Sequence, residues 1–327
     1  MRSEQVGNKM QAALRTRYGP LDQLAVQSTD IPLPRKGDVL VRVKAVSLNA
    51  SDVEHMTGRP SYVRIFGLRK PRIHVLGTDL TGVVEQVGPG VTELAVGDEV
   101  MGDILGHGGC LAEFACAPAK ALQKKPSWMS FEIACTLPQA GTIAMQGIEL
   151  VGSAGPDTSV VINGSGGGSG SLGIQIAKHL GARVTGVDNE TKLDFMRGLG
   201  ADAVVDYRAE DFVARGERYD LILDLAAFRP VSELTRALSD RGKYLIVGGS
   251  VSNLLWTLCF GRLAARRGQQ LRVLAVQPKQ GLAKLFEYVQ QGIVKPQIDH
   301  VYPLRDTREA LRRVADGRAL GKIVVTP

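Results

Sequence analysis

Seven residues, GSGGGSG from Gly164 to Gly170, contain five glycines and two serines. They stand between an apolar run, SVVIN (159–163), and SLGIQIAKHL (171–180), in which Leu172, Ile176 and Leu180 recur at i, i+4 spacing. A flexible linker has this composition, but a linker has no reason to join a strand directly to a patterned helix. A turn that a phosphate must approach does: glycine permits the sharp bend, bares the backbone amides to an anion and lets helix and strand pack closely. Two registers are open. G-x-x-G-x-x-G fits Gly164, Gly167 and Gly170, whereas G-x-G-x-x-G fits Gly168, Gly170 and Gly173 and lies mostly inside the helix. The first makes Gly164, Ser165, Gly166, Gly167, Gly168, Ser169 and Gly170 the candidate cofactor-binding turn.

The rest of the chain supports that turn. From Val39 to Leu122 apolar and polar residues alternate, with turn signals at GPGV (88–91) and VGD (96–98), which predicts a β-rich region. Residues 137–152 read as a helix. Then short aliphatic runs alternate with helical stretches: 159–163, 183–188, 203–207, 220–225, 243–249 and 271–276. Continuous apolar runs separated by helices predict a parallel sheet covered on both faces, and six of them fit a doubly wound dinucleotide fold in an α/β chain. Asp188 follows Gly168 by 20 residues, close to the spacing of about 20 expected for the acid that binds the adenosine ribose. An acid there favours NAD; Lys192 and Tyr207, however, could both contact the 2′-phosphate of NADP, so the two cofactors stay open. Gly248 and Gly249 end the fifth run, on the carboxyl side where such a sheet opens its ligand crevice, and are expected close to the nicotinamide. The tail reads strand, helix, strand.

Charge narrows the partners. Forty basic against 33 acidic residues give a net +7, which suits small anions but is too dispersed to predict nucleic-acid binding. Four cysteines without a CxxC pair match no zinc frame and fit a reduced, cytoplasmic protein. Residues before Met10 read as a polar extension without an apolar leader. NLLWTLCFGRLAARRG (253–268) is the most lipid-like stretch, yet its apolar run is too short to span a bilayer. A packed helix between two strands is expected there, with a peripheral membrane or subunit-contact role as the alternative. No integral membrane segment is expected.

GVVEQVGPGVTELAVGDEVMG (82–102), GGCLAEFACAPAKALQKKP (108–126), the glycine turn with its strand, LGADAVVDY (199–207) and the closing GKIVV (321–325) together resemble the medium-chain dehydrogenase/reductase superfamily, in particular its zinc-free quinone oxidoreductase branch. The resemblance runs from about Met10 to Val325. It implies a GroES-like β domain over residues 1–140, completed by 292–327 and carrying most of the substrate site, a Rossmann domain over 141–291, and a cleft between them. It also implies a homodimer. Zinc-dependent relatives place a cysteine where this chain has Asn49 and a histidine where it has Thr78; neither residue here is a zinc ligand, and Asp79 alone cannot hold the metal. No metal site is expected, and His55 and His74 lack ligand spacing. Without a metal, the expected chemistry is hydride transfer from NADH or NADPH to an acceptor that is already electrophilic, a quinone or an α,β-unsaturated carbonyl. Asn49 occupies the branch's active-site asparagine position and is expected to position rather than to transfer a proton. Three departures follow. Glu54 and His55 stand where many relatives have a tyrosine, and either could relay a proton. Thr142 is displaced by one residue from the hydroxyl that meets the nicotinamide amide. Asp188 replaces the Ser or Thr usual in NADPH-preferring members. A zinc-independent alcohol dehydrogenase and a low-turnover nucleotide-binding scaffold are the alternatives.

Overall fold

The computed structural model describes residues 9–152, 154–266 and 268–327, and for Phe66 the backbone alone. The polar extension before Met10 lies, but for Lys9, outside the described residues. The strands and helices run in chain order as β1 (Lys9–Leu14), β2 (Ala25–Asp30), β3 (Asp38–Leu48), α1 (Ala50–Thr57), β4 (Asp79–Val87), β5 (Glu99–Asp103), β6 (Phe114–Pro118), β7 (Leu122–Lys124), α2 (Phe131–Ala134) and α3 (Pro138–Glu149). Alternating helices and strands follow: β8 (Ser159–Asn163), α4 (Gly168–His179), β9 (Arg183–Asp188), α5 (Leu193–Gly198), β10 (Ala203–Asp206), β11 (Tyr219–Asp224), α6 (Val231–Leu234), β12 (Leu238–Ile246), α7 (Val251–Ala264), β13 (Gln270–Val273) and α8 (Leu282–Gln290). The tail is β14 (Ile298–Pro303), α9 (Thr307–Ala315) and β15 (Lys322–Thr326).

Two compact units result. The first comprises residues 1–139, 300–317 and 322–327; the second comprises 140–299 and 318–321. Residues 292–299 and 318–321, assigned from sequence to the first domain, cluster with the second. The reasons are local: the Lys295 amide donates to Gln175 Oε1 at 2.8 Å, the Gly321 amide donates to the Gly166 carbonyl at 2.9 Å, and Gly321 bridges Gly167 in parallel. The first unit is organised by a mostly antiparallel sheet, β14-β15-β3-β4-β5-β7, with β6 also on β3. β3 is its spine because Val39, Leu40, Val41, Val43, Ala45, Val46 and Leu48 are all buried. A strand this apolar can survive only between layers, and β15 closes it on one side through Ile323, Val324 and Val325.

The second unit is the doubly wound sheet. Its order, β10-β9-β8-β11-β12-β13, is parallel throughout, and its chain order reverses between β8 and β11. Ligands in such sheets bind outside the carboxyl ends of the strands at that reversal. Asn163 and Asp224 are register partners there. β12 begins at Leu238, five residues before the apolar run, because Leu238 pairs with Tyr219 before the register shifts to Lys243 on Leu221. α7 does lie between two strands and packs beside β13, but it turns Asn253, Thr257 and Gly261 inward.

Gly170 sets the approach of α4 to β8. A Cβ there would stand 2.4 Å from both the Gly164 carbonyl oxygen and Ser165 Cα, and backbone cannot yield as a side chain can. Gly170→Ala is therefore expected to destabilise the fold by about 1–3 kcal/mol although alanine is the better helix former. A lowered urea midpoint is the readout, and an unchanged one would show that α4 can shift freely.

Candidate active site

The glycine turn divides into two halves with different tasks. Gly164 (φ +85°) turns the chain out of β8. The amides of Gly164 and Ser165 both donate to the Val187 carbonyl at 2.9 and 3.1 Å, and the Gly166 amide donates to Asp188 Oδ2 at 2.9 Å. Ser165 is wholly buried, with Oγ bonded to Val187 O at 3.2 Å. These three residues tie the turn to β9. Gly167 then caps α4 in an extended conformation, and the Ser171 amide returns to its carbonyl at 2.9 Å. The first-turn amides of Gly168, Ser169 and Gly170 have no intrahelical acceptor, and the positive end of the helix lies there. A Cβ at Gly167 would meet nothing closer than the Gly164 carbonyl oxygen at 3.5 Å, an ordinary contact distance. An anionic diphosphate fits this half of the loop.

Asp188 ends β9 and is nearly buried. Its oxygens accept from the amides of Gly166 and Asn189, both at 2.9 Å, and lie 3.4 Å from the ammonium of Lys192, itself buried. Gly166 has no room for a side chain because its Cβ would fall 2.4 Å from Lys192 Cδ. Tyr207 joins the group through its amide, which donates to the Asp188 carbonyl at 3.1 Å, while its ring is exposed. The structure thus brings together Gly166, Asp188, Lys192 and Tyr207. Gly248 and Gly249 lie in the turn between β12 and α7. Thr142 is buried within α3. At the sheet reversal Asn163 Nδ2 donates to Asp224 Oδ1 at 2.7 Å and the Tyr244 hydroxyl donates to Oδ2 at 2.9 Å. Burial pushes the Asp224 carboxyl up against these two bonds.

In the first unit Asn49 starts α1. Its amide donates to Asp52 Oδ2 at 2.8 Å, the N-cap to N3 half of a capping box. Lys322 Nζ donates to Asn49 Oδ1 at 2.5 Å and to the Leu48 carbonyl at 2.9 Å. That contact fixes the amide's orientation, because an ammonium only donates. Asn49 Nδ2 therefore faces Asp79 Oδ2 at 3.0 Å and Thr78 Oγ1 at 3.4 Å. Both of its N–H groups are committed within the protein, and Oδ1 keeps one lone pair.

Around this knot Asp52 and Asp79 are wholly buried, Lys322 is 3% exposed, and Lys322 lies 3.8 Å from Asp79. Burial lifts the Asp52 carboxyl to about 7, raises Asp79 well above the ordinary range and raises Asp103, while it lowers Lys322. The mutual attraction of Lys322 and Asp79 opposes both of their shifts. Gln139 braces the acids: its amide donates to Asp79 Oδ1 at 3.1 Å and its side chain to Asp103 Oδ2 at 3.2 Å. One turn along α1, burial raises the Glu54 carboxyl to about 7 against a hydrogen bond from Tyr62. His55 is lowered to about 4 by burial and by Arg15, which leaves its imidazole neutral at pH 7.

Reasoning from sequence missed Lys322, Asp52 and Asp103, and it missed that Tyr62 reaches Glu54. The N-x-x-D spacing of Asn49 and Asp52 was a usable signal for the capping box. Nothing local announces that Lys322, 273 residues from Asn49, will sit on it. Asn49 and Thr78 lie 3.4 Å apart through Nδ2 and Oγ1, and Asn49 also meets the Lys322 ammonium. No group of three or more His, Cys, Asp or Glu among the described residues could hold a metal ion.

Comparison with known proteins gives the family. An alcohol dehydrogenase GroES-like domain model matches residues 35–127, and a zinc-binding dehydrogenase model matches 199–325. The chloroplast envelope quinone oxidoreductase homolog of Arabidopsis thaliana is 32% identical over 91% of this chain and 92% of its own length. The chain belongs to the quinone oxidoreductase-like branch of the medium-chain dehydrogenase/reductase superfamily. It is an oxidoreductase, with a GroES-like and a Rossmann-like unit. Among relatives in this branch, the chloroplastic NADPH-dependent alkenal/one oxidoreductase of Arabidopsis thaliana is 29% identical over 98% of this chain and 81% of its length. The solved quinone oxidoreductase of Coxiella burnetii superposes with a TM-score of 0.87 at 27% identity, covering 98% of this chain and 99% of that one. The segment matched by the zinc-binding model contains neither Asn49 nor Thr78.

Removing the buried ammonium should be costly. Lys322→Met is expected to destabilise the first unit by about 3–5 kcal/mol, because Asp79 loses its counter-charge and Asn49 its donor. Adding Asp79→Asn should restore a large part of that loss. Urea denaturation of the two single variants and the pair measures it, and strictly additive effects would show that Lys322 and Asp79 do not interact.

Proposed function

We propose that this chain is a zinc-independent reductase that delivers hydride from a bound NADH or NADPH to a quinone or an α,β-unsaturated carbonyl. The observation that carries the reading is the Lys322–Asn49–Asp79 knot, in which Asn49, at the position where zinc relatives place Cys, also donates to Thr78, at the position where they place His. The printed names of its relatives, quinone oxidoreductase and alkenal/one oxidoreductase, favour the same acceptors.

Each proposed role follows from an atom's remaining capacity. The amides of Gly168, Ser169 and Gly170 hold the cofactor's diphosphate, with the helix dipole adding to the attraction. Asp188, braced by Gly166 and partly neutralised by Lys192, faces the adenosine ribose, with the Tyr207 ring beside it. Gly248, Gly249 and Thr142 belong to the nicotinamide end. When bound, the reduced nicotinamide supplies the hydride. Asn49 orients a hydroxyl: its remaining Oδ1 lone pair accepts a hydrogen bond, and its committed N–H groups leave none to donate. Reduction also needs one proton per hydride, delivered to the oxygen of a quinone or to the α-carbon of an enone. Glu54, protonated up to about 7 and bonded to Tyr62, is the group suited to supply it.

Steady-state oxidation of NADH and of NADPH with a quinone or an enone, set beside reduction of NAD+ and NADP+ with an alcohol, tests the assignment. Turnover with a quinone or enone should survive prolonged chelation, and Gly167→Val should abolish dinucleotide binding while the chain stays folded. Loss of activity on chelation with recovery on zinc would overturn the reading. The Glu54 carboxyl carries its proton below about 7 and loses it above. Reduction should therefore fall as pH rises through that value, and Glu54→Gln should lower the rate and remove the descending limb. A variant that kept the limb would exclude Glu54 as the proton source.

A further inference from the structure

The first unit buries a guanidinium that no acid satisfies. Arg15 directly follows β1, its amide donates to the His74 carbonyl at 2.9 Å, and it is 4% exposed. Its Nε and Nη2 share one acceptor, the Ile73 carbonyl, at 3.4 Å each. Nη1 is buried with no hydrogen-bond partner. A guanidinium holds five N–H donors in a fixed fork; with the Nε–Nη2 edge on a carbonyl, the Nη1–Nη2 edge is left over. The Tyr18 ring lies 5.3 Å from the Arg15 guanidinium, but Arg64 stands over the same ring at 5.1 Å, so two cations share it. Burial lowers Arg15 to about 10 against the attraction of Tyr18 and Asp52, which leaves it charged at pH 7.

The leftover edge has somewhere to reach. Arg15 lines a cavity of about 20 Å³ with His55, Ile73, Gly77, Thr78 and Gly108. Thr78 joins this cavity to the proposed acceptor site, because its Oγ1 lies 3.4 Å from Asn49 Nδ2. His55 supplies no counter-charge, since its imidazole is neutral at pH 7. The volume admits about one small terminal group and not a ring. A water there would occupy Nη1 and leave the charge uncompensated, whereas an anion answers both needs. The planar fork of a guanidinium matches a carboxylate with two parallel hydrogen bonds.

We propose that Arg15 receives a carboxylate carried by the hydride acceptor, which makes the substrate class an acidic enone or quinone. The acceptor's role rests on the reductase reading above; the anion site does not. Reduction of 4-oxopent-2-enoate and of its methyl ester by the full chain, with NADH and with NADPH, is the first measurement. Arg15→Met should raise KM for the acid about tenfold or more relative to KM for the ester, a ratio in which the different reactivities of the two enones cancel. The second measurement is binding without turnover. The saturated acid 4-oxopentanoate should raise the thermal midpoint of the wild-type chain, its methyl ester should not, and Arg15→Met should lose the shift. Arg15→Met removes an unpaired buried charge and is expected to fold. Arg15→Lys keeps the charge without the fork and should retain only part of the shift. Reduction of both enones with an acid-to-ester ratio unchanged by Arg15→Met would overturn the carboxylate site and spare the reductase reading. So would a midpoint shift that is absent in the wild-type chain or equal in Arg15→Met. An Arg15-dependent shift with neither enone reduced would keep the anion site and overturn the reductase reading.

Discussion

A single buried ammonium organises the first unit. Lys322 arrives on β15 and spends its donors on the Leu48 carbonyl and on Asn49 Oδ1, within 3.8 Å of Asp79. Taking that charge out of water is expensive, and it is offset only because the buried Asp52 and Asp79 and the half-buried Asp103 stand around it. The arrangement has a chemical consequence. With Lys322 on one side and Asp79 on the other, the Asn49 amide cannot flip, so its remaining capacity is that of an acceptor. On the proposed reading this confines Asn49 to holding a hydroxyl and places the proton source elsewhere on α1, at Glu54.

The second unit solves a different problem, how to leave backbone bare without leaving it loose. Half of the glycine turn is anchored: Gly164, Ser165 and Gly166 give their amides to β9 and its terminal aspartate. On the proposed reading the first-turn amides of Gly168, Ser169 and Gly170 are the ones left for an anion. Asp188 therefore has a structural duty besides any contact with a ribose, since it ties the turn, the following residue Asn189 and Lys192 to one point. The absence of a side chain at Gly166 answers to Lys192 packing, and at Gly170 to the approach of α4. At Gly167 a Cβ would meet only the Gly164 carbonyl oxygen, at an ordinary 3.5 Å.

α7 runs against the usual amphipathic logic. Its inward side chains satisfy carbonyls of the neighbouring loop, and its small residue allows close approach to β13, so the helix can be held without burying its leucines. Those leucines, Leu255, Leu258 and Leu263, are then left on the outer side of the helix.

The sequence by itself determined most of the second unit. Strands buried on both faces are apolar through their middles, so SVVIN, DLILDL and KYLIVGG announce a parallel sheet directly, and a glycine cluster between such a run and a patterned helix has few physical uses. The Asp188 spacing was legible for the same reason, because it lies within one strand–helix–strand unit. The first unit's β-rich character was legible too, through alternation and turn residues. What only the tertiary structure decided was every contact made at long sequence separation. Lys322 reaches Asn49, and Gly321 pairs with the glycine turn and so draws residues 318–321 into the second unit. The inward face of α7 was likewise undecidable, because an apolar helix has no preferred side until hydrogen-bond partners for Asn253 are in place. Periodicity records which residues avoid water along one element; it holds no information about which distant partner will satisfy a buried charge or amide.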